Sequence, residues 1–150
     1  MRHARIEVTD LLNRLRDRFD PQHTRITVTA PDDMRLFGDP ERLEQALGNL
    51  IDNAIRYGSP PVTVQASATE RGTELHVLDT GPGFPDGFKA QAFERFTRAG
   101  PGRAGRGAGL GLSIVRTIAQ AHGGDAHAAN RPGRGADVWI VIPDRPPQAR

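Results

Sequence analysis

Nine of the 17 glycines in this 150-residue chain fall between Gly81 and Gly111, and six of those nine lie between Gly100 and Gly111. Evenly spread glycine marks ordinary turns. Glycine concentrated in one stretch marks backbone that has to move or has to approach something closely. Any fold of this chain is therefore built around an irregular interval, with its regular elements on either side.

Those elements alternate between helical and strand-like patterns. Val8, Leu11, Leu12 and Leu15 recur at helical spacing and predict an amphipathic helix ending near Phe19-Asp20-Pro21. Ile26, Val28 and Ala30 alternate with Arg25, Thr27 and Thr29, the pattern of a half-buried strand. A short second strand at Arg35-Leu36-Phe37 is expected to pair with it across the Pro31-Asp32-Asp33 turn. Asp39-Pro40 places a capping acceptor before a proline suited to the first helical position. The helix they open runs to Tyr57 and stops at Gly58-Ser59-Pro60-Pro61. Val62 to Ala68 reads as a strand, Arg71-Gly72 as a turn, and Leu75, Val77 and Asp79 as the partner strand. Beyond the glycines, Leu112 to His122 predicts a helix, and 125–129 with 136–142 a last strand pair around Pro132-Gly133-Arg134-Gly135. Strand pairs joined by short turns imply a mixed or largely antiparallel sheet with helices on one face. One domain over 1–143 is expected, with 144–150 a disordered tail.

Several classes of function are set aside by composition. Without cysteine there is no disulfide scaffold, thiolate zinc site or cysteine nucleophile. No run of 18 apolar residues and no charged-then-apolar leader occurs, so no membrane span or export signal is expected. The basic isoelectric point near 9.9 reflects arginine with almost no lysine or tyrosine, while the net charge is only +2. The arginines are scattered among acids, which gives nucleic-acid binding no support.

Three places carry chemistry. On the helix after Asp39, Leu43, Leu47, Leu50 and Ala54 form a core stripe, while Asn49, Asn53 and Arg56 share a separate flank with Tyr57 at its edge. Asparagine is a mediocre helix former, so two of them one turn apart need a reason. An amide oxygen suits magnesium and arginine suits phosphate; a polar flank making loop contacts is the other reading. Asp79 shares the parity of Leu75 and Val77 and so points inward, where a carboxylate needs donors. The residues after it, Thr80-Gly81-Pro82-Gly83-Phe84, are backbone that can lie close to a planar ligand. An acid reading the amine of adenine fits there, and so does an aspartate that merely caps a turn. Lastly, Gly107-Ala108-Gly109-Leu110-Gly111-Leu112 runs straight into a helix, where backbone donors and the helix dipole favour phosphate. Walker A is impossible because no glycine immediately precedes Lys89, the single lysine, and Gly100 to Gly105 follows no strand as a dinucleotide loop would. Arg98, Arg103 and Arg106 on glycine-rich chain are what a mobile cationic lid requires; a plain flexible loop is the alternative.

In order and spacing these motifs resemble the ATP-binding catalytic domain of bacterial sensor histidine kinases, within the gyrase, chaperone, kinase and mismatch-repair ATPase superfamily. Asn49 to Gly58 is similar to that family's N box, Asp79-Thr80-Gly81-Pro82-Gly83 to its first glycine box and Phe93-Glu94-Arg95-Phe96 to its F box. Gly107 to Leu112 is similar to the second glycine box and Gly133-Arg134-Gly135 to a weaker third. The resemblance covers about residues 5 to 143. It implies an α+β fold, a two-layer α/β sandwich of Bergerat type with a flexible ATP lid at about 85–110.

Carried over by position, the resemblance makes Asn53 the magnesium ligand with Asn49 assisting. Arg56 and Tyr57 contact phosphate and the adenine or ribose edge, and Asp79 binds the adenine amine with Gly81 and Gly83 giving room. Arg98 is a candidate for the terminal phosphate, and Gly107, Gly109, Leu110 and Gly111 wrap the phosphates. Arginine stands at 56 where the family often has lysine, and Ala136 where the third glycine box often has threonine.

Phosphoryl transfer asks such a domain for positioning and charge neutralisation rather than a nucleophile. None of His3, His23, His76, His122 and His127 has the acidic neighbour and downstream proline of the family's phosphoacceptor box. The acceptor histidine is therefore expected on a separate dimerisation domain, in a homodimeric, membrane-anchored sensor whose cytoplasmic part includes this soluble domain. A response regulator lies downstream, and this fragment itself touches neither membrane nor nucleic acid. At position 49 hydrolytic relatives carry a glutamate that activates water; an amide cannot serve as that base. A serine kinase of the anti-sigma-factor type and a non-catalytic ATP-sensing module are the alternatives.

Overall fold

A computed structural model describes residues 2–85 and 106–144, with side chains from Gly111 onward in the second stretch. In chain order the elements are β1 (Ala4–Glu7), α1 (Val8–Phe19), β2 (Ile26–Thr29), β3 (Arg35–Gly38), α2 (Pro40–Tyr57), β4 (Val62–Thr69), β5 (Gly72–Leu78), α3 (Arg106–Ala121), β6 (Asp125–Asn130) and β7 (Ala136–Ile142). Five strands form one sheet in the order β2-β4-β5-β7-β6, parallel only between β2 and β4. β1 and β3 make a separate antiparallel ribbon. The three helices pack on one face of the large sheet. Leu11, Leu12 and Leu15 of α1, Leu43, Leu47 and Ile51 of α2, and Leu112 and Val115 of α3 meet Val62, Val64, Leu75, Val77 and Ile140 in a single core. Each such leucine contributes about 1.5–3 kcal/mol by leaving water. This is the α+β, mixed and mostly antiparallel sandwich expected.

Three local expectations change. β2 and β3 do not pair; β2 runs parallel to β4, with Ile26 opposite Val62, and β3 pairs with β1, with Leu36 opposite Ile6. An alternating pattern says which face of a strand is buried and nothing about which strand lies beside it. β1 is too short for its own periodicity to register. α3 begins at Arg106 rather than Leu112, so Gly107, Gly109 and Gly111 lie within its first turns. Glycine lowers helix propensity, but the first-turn N–H groups lack intrahelical partners in any helix. The F-box residues Phe93 to Phe96, Arg98, the remainder of the lid before Arg106 and the tail from 145 lie outside the described residues.

Two polar junctions set the helices in place. Asp39 caps α2 by accepting the Arg42 N–H at 3.2 Å and also takes the Arg2 N–H at 2.9 Å. Its own N–H donates to His122 Nε2 at 3.0 Å, while His122 Nδ1 lies 2.8 Å from the Ile118 carbonyl, so the buried end of α3 holds the start of α2. This registers the Asn49–Asn53 flank against α3. At the other junction, Asp20 closes α1 and accepts the N–H groups of Thr24, Arg25 and Ile26 at 3.2, 2.8 and 2.8 Å. Burial opposes its charge, but the three donors dominate and hold its pKa at about 2, against an ordinary 3.8. A carboxyl whose folded pKa is depressed stabilises the fold above its unfolded value and loses that contribution as pH falls towards the folded one. Asp20→Asn is expected to lower stability to urea at pH 7, with the gap from wild type closing between pH 4 and 2. A gap that is constant across that range contradicts the ionised-carboxylate account.

The outer face of the sheet carries His76 between Glu74 Oε1 and Asp137 Oδ1, each 2.8 Å away, with its ring stacked on Trp139 at 4.9 Å. His76 is thus an outward strand residue, and His122 the helix-end contact. Neither is placed as a phosphoacceptor.

Candidate functional site

α2 places Asn49, Asp52, Asn53, Arg56 and Tyr57 along one wall of a cleft whose opposite wall is Gly111 and Leu112 of α3. The helical repeat of about 3.6 residues stacks positions 49, 53 and 56 on one flank, and the Leu43–Leu47–Leu50 stripe anchors the other face in the core. Asn49 Nδ2 donates to the Gly111 carbonyl at 3.4 Å, tying the cleft's two walls together. Arg56 donates to Asp52 at 3.1 Å across one helical turn and keeps 65% of its side chain in water. Such a surface pair is weak, so this guanidinium can turn towards an anion at little cost.

Asn53 is different. It is 6% exposed, and among the described residues its Oδ1 is buried with no hydrogen-bond partner. A buried acceptor left unmade costs roughly 1–3 kcal/mol. A hard neutral oxygen held in a polar cleft, beside a second amide and a carboxylate, is a donor set that fits magnesium. The cleft among described residues has a volume of about 120 Å³. Sites that bury a whole small molecule start near 300 Å³, so it suits one end of a larger ligand.

The Asp79 segment grows from β5. Asp79 follows the strand directly and is 2% exposed, as its parity predicted. Its Oδ1 accepts the N–H of Gly81 at 2.8 Å and of Ala136 at 3.3 Å, and its N–H donates to the Ala136 carbonyl at 2.9 Å. Both the inward carboxylate and its tight turn are thus present. Gly58, the residue capping α2, sits so close that a Cβ there would overlap the Asp79 carboxylate. A Cβ on Gly81 would come within 2.7 Å of the Gly58 backbone. The end of the helix that carries the asparagine flank therefore lies directly against the buried acid at Gly58. Thr80 holds the junction, its N–H donating to the Ser59 carbonyl at 3.0 Å and its hydroxyl to the Pro60 carbonyl at 2.9 Å.

Gly107, Gly109 and Leu110 lie in the first turns of α3, and their side chains fall outside the described residues. Arg98 lies outside them altogether. Sequence reasoning named Gly58 only as the helix stop and the end of the N-box segment, missed Asn130 and Arg131, and undervalued Arg134 and Gly135. Arg131 Nη1 donates to the Asp79 carbonyl at 2.8 Å, Arg134 Nε donates to that of Thr80 at 3.1 Å, and Asn130 brackets Phe84. The one signal was the Pro132-Gly133-Arg134-Gly135 turn, and nothing in it says where the turn points.

The profile of the family described as "Histidine kinase-, DNA gyrase B-, and HSP90-like ATPase" matches residues 38–146, spanning both walls of the cleft. The "Sensor histidine kinase component HK1" of Mycobacterium tuberculosis is 43% identical over 141 residues, 93% of this chain and 84% of that protein. The chain belongs to the sensor histidine kinases of this ATPase family. It is similar to BaeS, a signal transduction histidine-protein kinase of Escherichia coli, at 36% identity over 132 residues, and spans 28% of that protein. A mycobacterial sensor histidine kinase structure, MprB, superposes with a TM-score of 0.81 at 31% identity, covering 96% of this chain and all of the other. The full-length ShkA structure in complex with AMPPNP superposes with a TM-score of 0.81 at 29% identity, covering 99% of this chain and 32% of that one. No helix among the described residues is long and apolar enough to cross a membrane.

Proposed function

We propose that this histidine kinase domain binds Mg-ATP in the cleft between α2, α3 and the Asp79 turn and donates the terminal phosphoryl group to a histidine on a separate acceptor domain. The observation that carries the reading is the buried Oδ1 of Asn53, an oxygen that has no hydrogen-bond partner among the described residues. Magnesium held by Asn53, with Asn49 assisting, supplies charge neutralisation at the phosphates when bound. Arg56 turns from Asp52 to a phosphate oxygen, and Tyr57 flanks the ribose or adenine. Asp79, oriented by two backbone N–H groups, accepts from the adenine amine. Gly107, Gly109, Leu110, Gly111 and Leu112 bring the start of α3 to the phosphates, and Arg98 meets the terminal one. Gly81, Gly83 and Phe84 shape the base end.

Transfer breaks the bond between the terminal phosphorus and ADP and forms one to the acceptor imidazole, with no covalent link to this domain. Asn49 has no basicity with which to activate water, so ATP persists in the absence of an acceptor. The acceptor domain belongs to a dimeric sensor that signals through a response regulator and is anchored in the membrane, with this domain on the cytoplasmic side.

The test supplies radiolabelled Mg-ATP and, as a separately made fragment, a dimerisation domain that carries an acceptor histidine. Acid-labile, alkali-stable label on that fragment is the expected result, with ATP turnover by the domain alone far below that of hydrolytic relatives. Label on serine, or rapid acceptor-independent hydrolysis, overturns it.

A further inference from the structure

The β6–β7 turn makes more contacts with the Asp79 segment than a simple hairpin connection requires. Asn130 Oδ1 accepts the Phe84 N–H at 2.7 Å and Asn130 Nδ2 donates to the Phe84 carbonyl at 3.2 Å. One side-chain amide thus satisfies both backbone groups of a buried residue, as a neighbouring strand would. Gly83, at φ +80°, leaves the space for it, since a Cβ there would stand 2.7 Å from Asn130 Oδ1. Arg131 and Arg134 hold the Asp79 and Thr80 carbonyls, and Gly135, at φ +107°, lies against the Asp79 carbonyl. The turn closes on itself through the Arg131 N–H to the Gly135 carbonyl at 2.9 Å. It therefore grips the segment at both ends.

We propose that Asn130, Arg131 and Arg134 are positioning residues that fix the segment from Asp79 to Phe84 and so set the domain's affinity for adenine over guanine nucleotides. This rests on the ATP-binding reading above. The physical basis is geometric. A carboxylate selects an exocyclic amine only if it is held still; displaced by a fraction of an ångström, it can also tolerate a carbonyl edge with an intervening water. Ala136 brings its backbone N–H and carbonyl to Asp79, where a threonine would add a hydroxyl, and the turn adds its own contacts to the segment's backbone. The arginines act on the backbone carbonyls of Asp79 and Thr80.

The test measures ATP and GTP binding by calorimetry, together with melting temperature, for the chain and its variants. Asn130→Ala and Arg131→Ala are each expected to weaken ATP binding about tenfold while leaving GTP binding nearly unchanged, thereby narrowing the selectivity ratio. Arg131→Lys, which keeps a donor, is expected to restore part of it. Asn130→Asp keeps the Phe84 acceptor and the side-chain size, so it reports even if the alanine variant fails to fold; it should show the same narrowing. A general loss of stability weakens both nucleotides alike and leaves the ratio intact, and that outcome overturns the proposal. Asp79→Asn separates the two readings. If it abolishes ATP preference while every turn variant keeps the wild-type ratio, the turn's role is refuted and the nucleotide reading stands. If the wild-type chain binds no ATP, both fall.

Discussion

Asn53→Ala is expected to abolish the magnesium-dependent part of ATP affinity while leaving the domain as stable as wild type, or slightly more so. Most substitutions at a 6%-exposed helix position destabilise, because they remove contacts or leave a cavity. Here the lost group includes an acceptor that the described residues leave unsatisfied, so removing it relieves a penalty of roughly 1–3 kcal/mol that offsets the small cavity. Melting temperature without nucleotide should stay within about 4 °C of wild type, equivalent to ~1 kcal/mol at this chain length. Calorimetry with and without magnesium supplies the other half: wild type should bind ATP at least about tenfold more tightly with the metal, and Asn53→Ala should show no difference. A variant that melts much lower while retaining its magnesium effect would make Asn53 a structural residue and remove the observation on which the function rests.

The second large effect is expected at Gly135. Its φ of +107° lies where side chains are strained, and a Cβ would overlap the Asp79 carbonyl oxygen. Strain and overlap together should make Gly135→Ala cost about 3 kcal/mol, lowering the melting temperature by roughly 10 °C. Because the displaced atom belongs to the residue after β5, ATP binding should fall in the surviving folded protein as well. Gly133 is the internal control. It has φ +87° in the same turn, but a Cβ there has nothing within 4 Å, so Gly133→Ala carries only the conformational cost, about 1 kcal/mol. Equal losses at the two positions would mean that the approach to Asp79 is not what requires glycine at 135.

Much of the fold can be read from the chain because its signals are local. Asp39-Pro40 marks the start of α2 by capping chemistry, and the 3.6-residue repeat separates Leu43, Leu47 and Leu50 from Asn49 and Asn53 before any partner is known. Asp79 reads as inward from strand parity, and the structure buries it. What failed was the identity of neighbours. Ile26 and Val28 alternate identically whether β2 lies beside β3 or β4, and only the packed sheet places Val62 opposite Ile26.

The same division holds at the site. The sequence by itself determined which side chains could do chemistry: two amides and an arginine on one helix flank, an inward acid before glycines, and a glycine-rich start to a helix. Periodicity and turn chemistry place such groups within a few residues of chain. Packing alone sets Gly58 directly against Asp79, buries Asn53 Oδ1 without a partner among the described residues, and brings Asn130 across 46 positions to hold Phe84. Those contacts depend on where β7 docks against β5 and how α3 is pinned to α2 through His122. Hydrogen bonds between residues so distant in sequence leave no periodic trace in it; they form only when the shared core brings their backbones together.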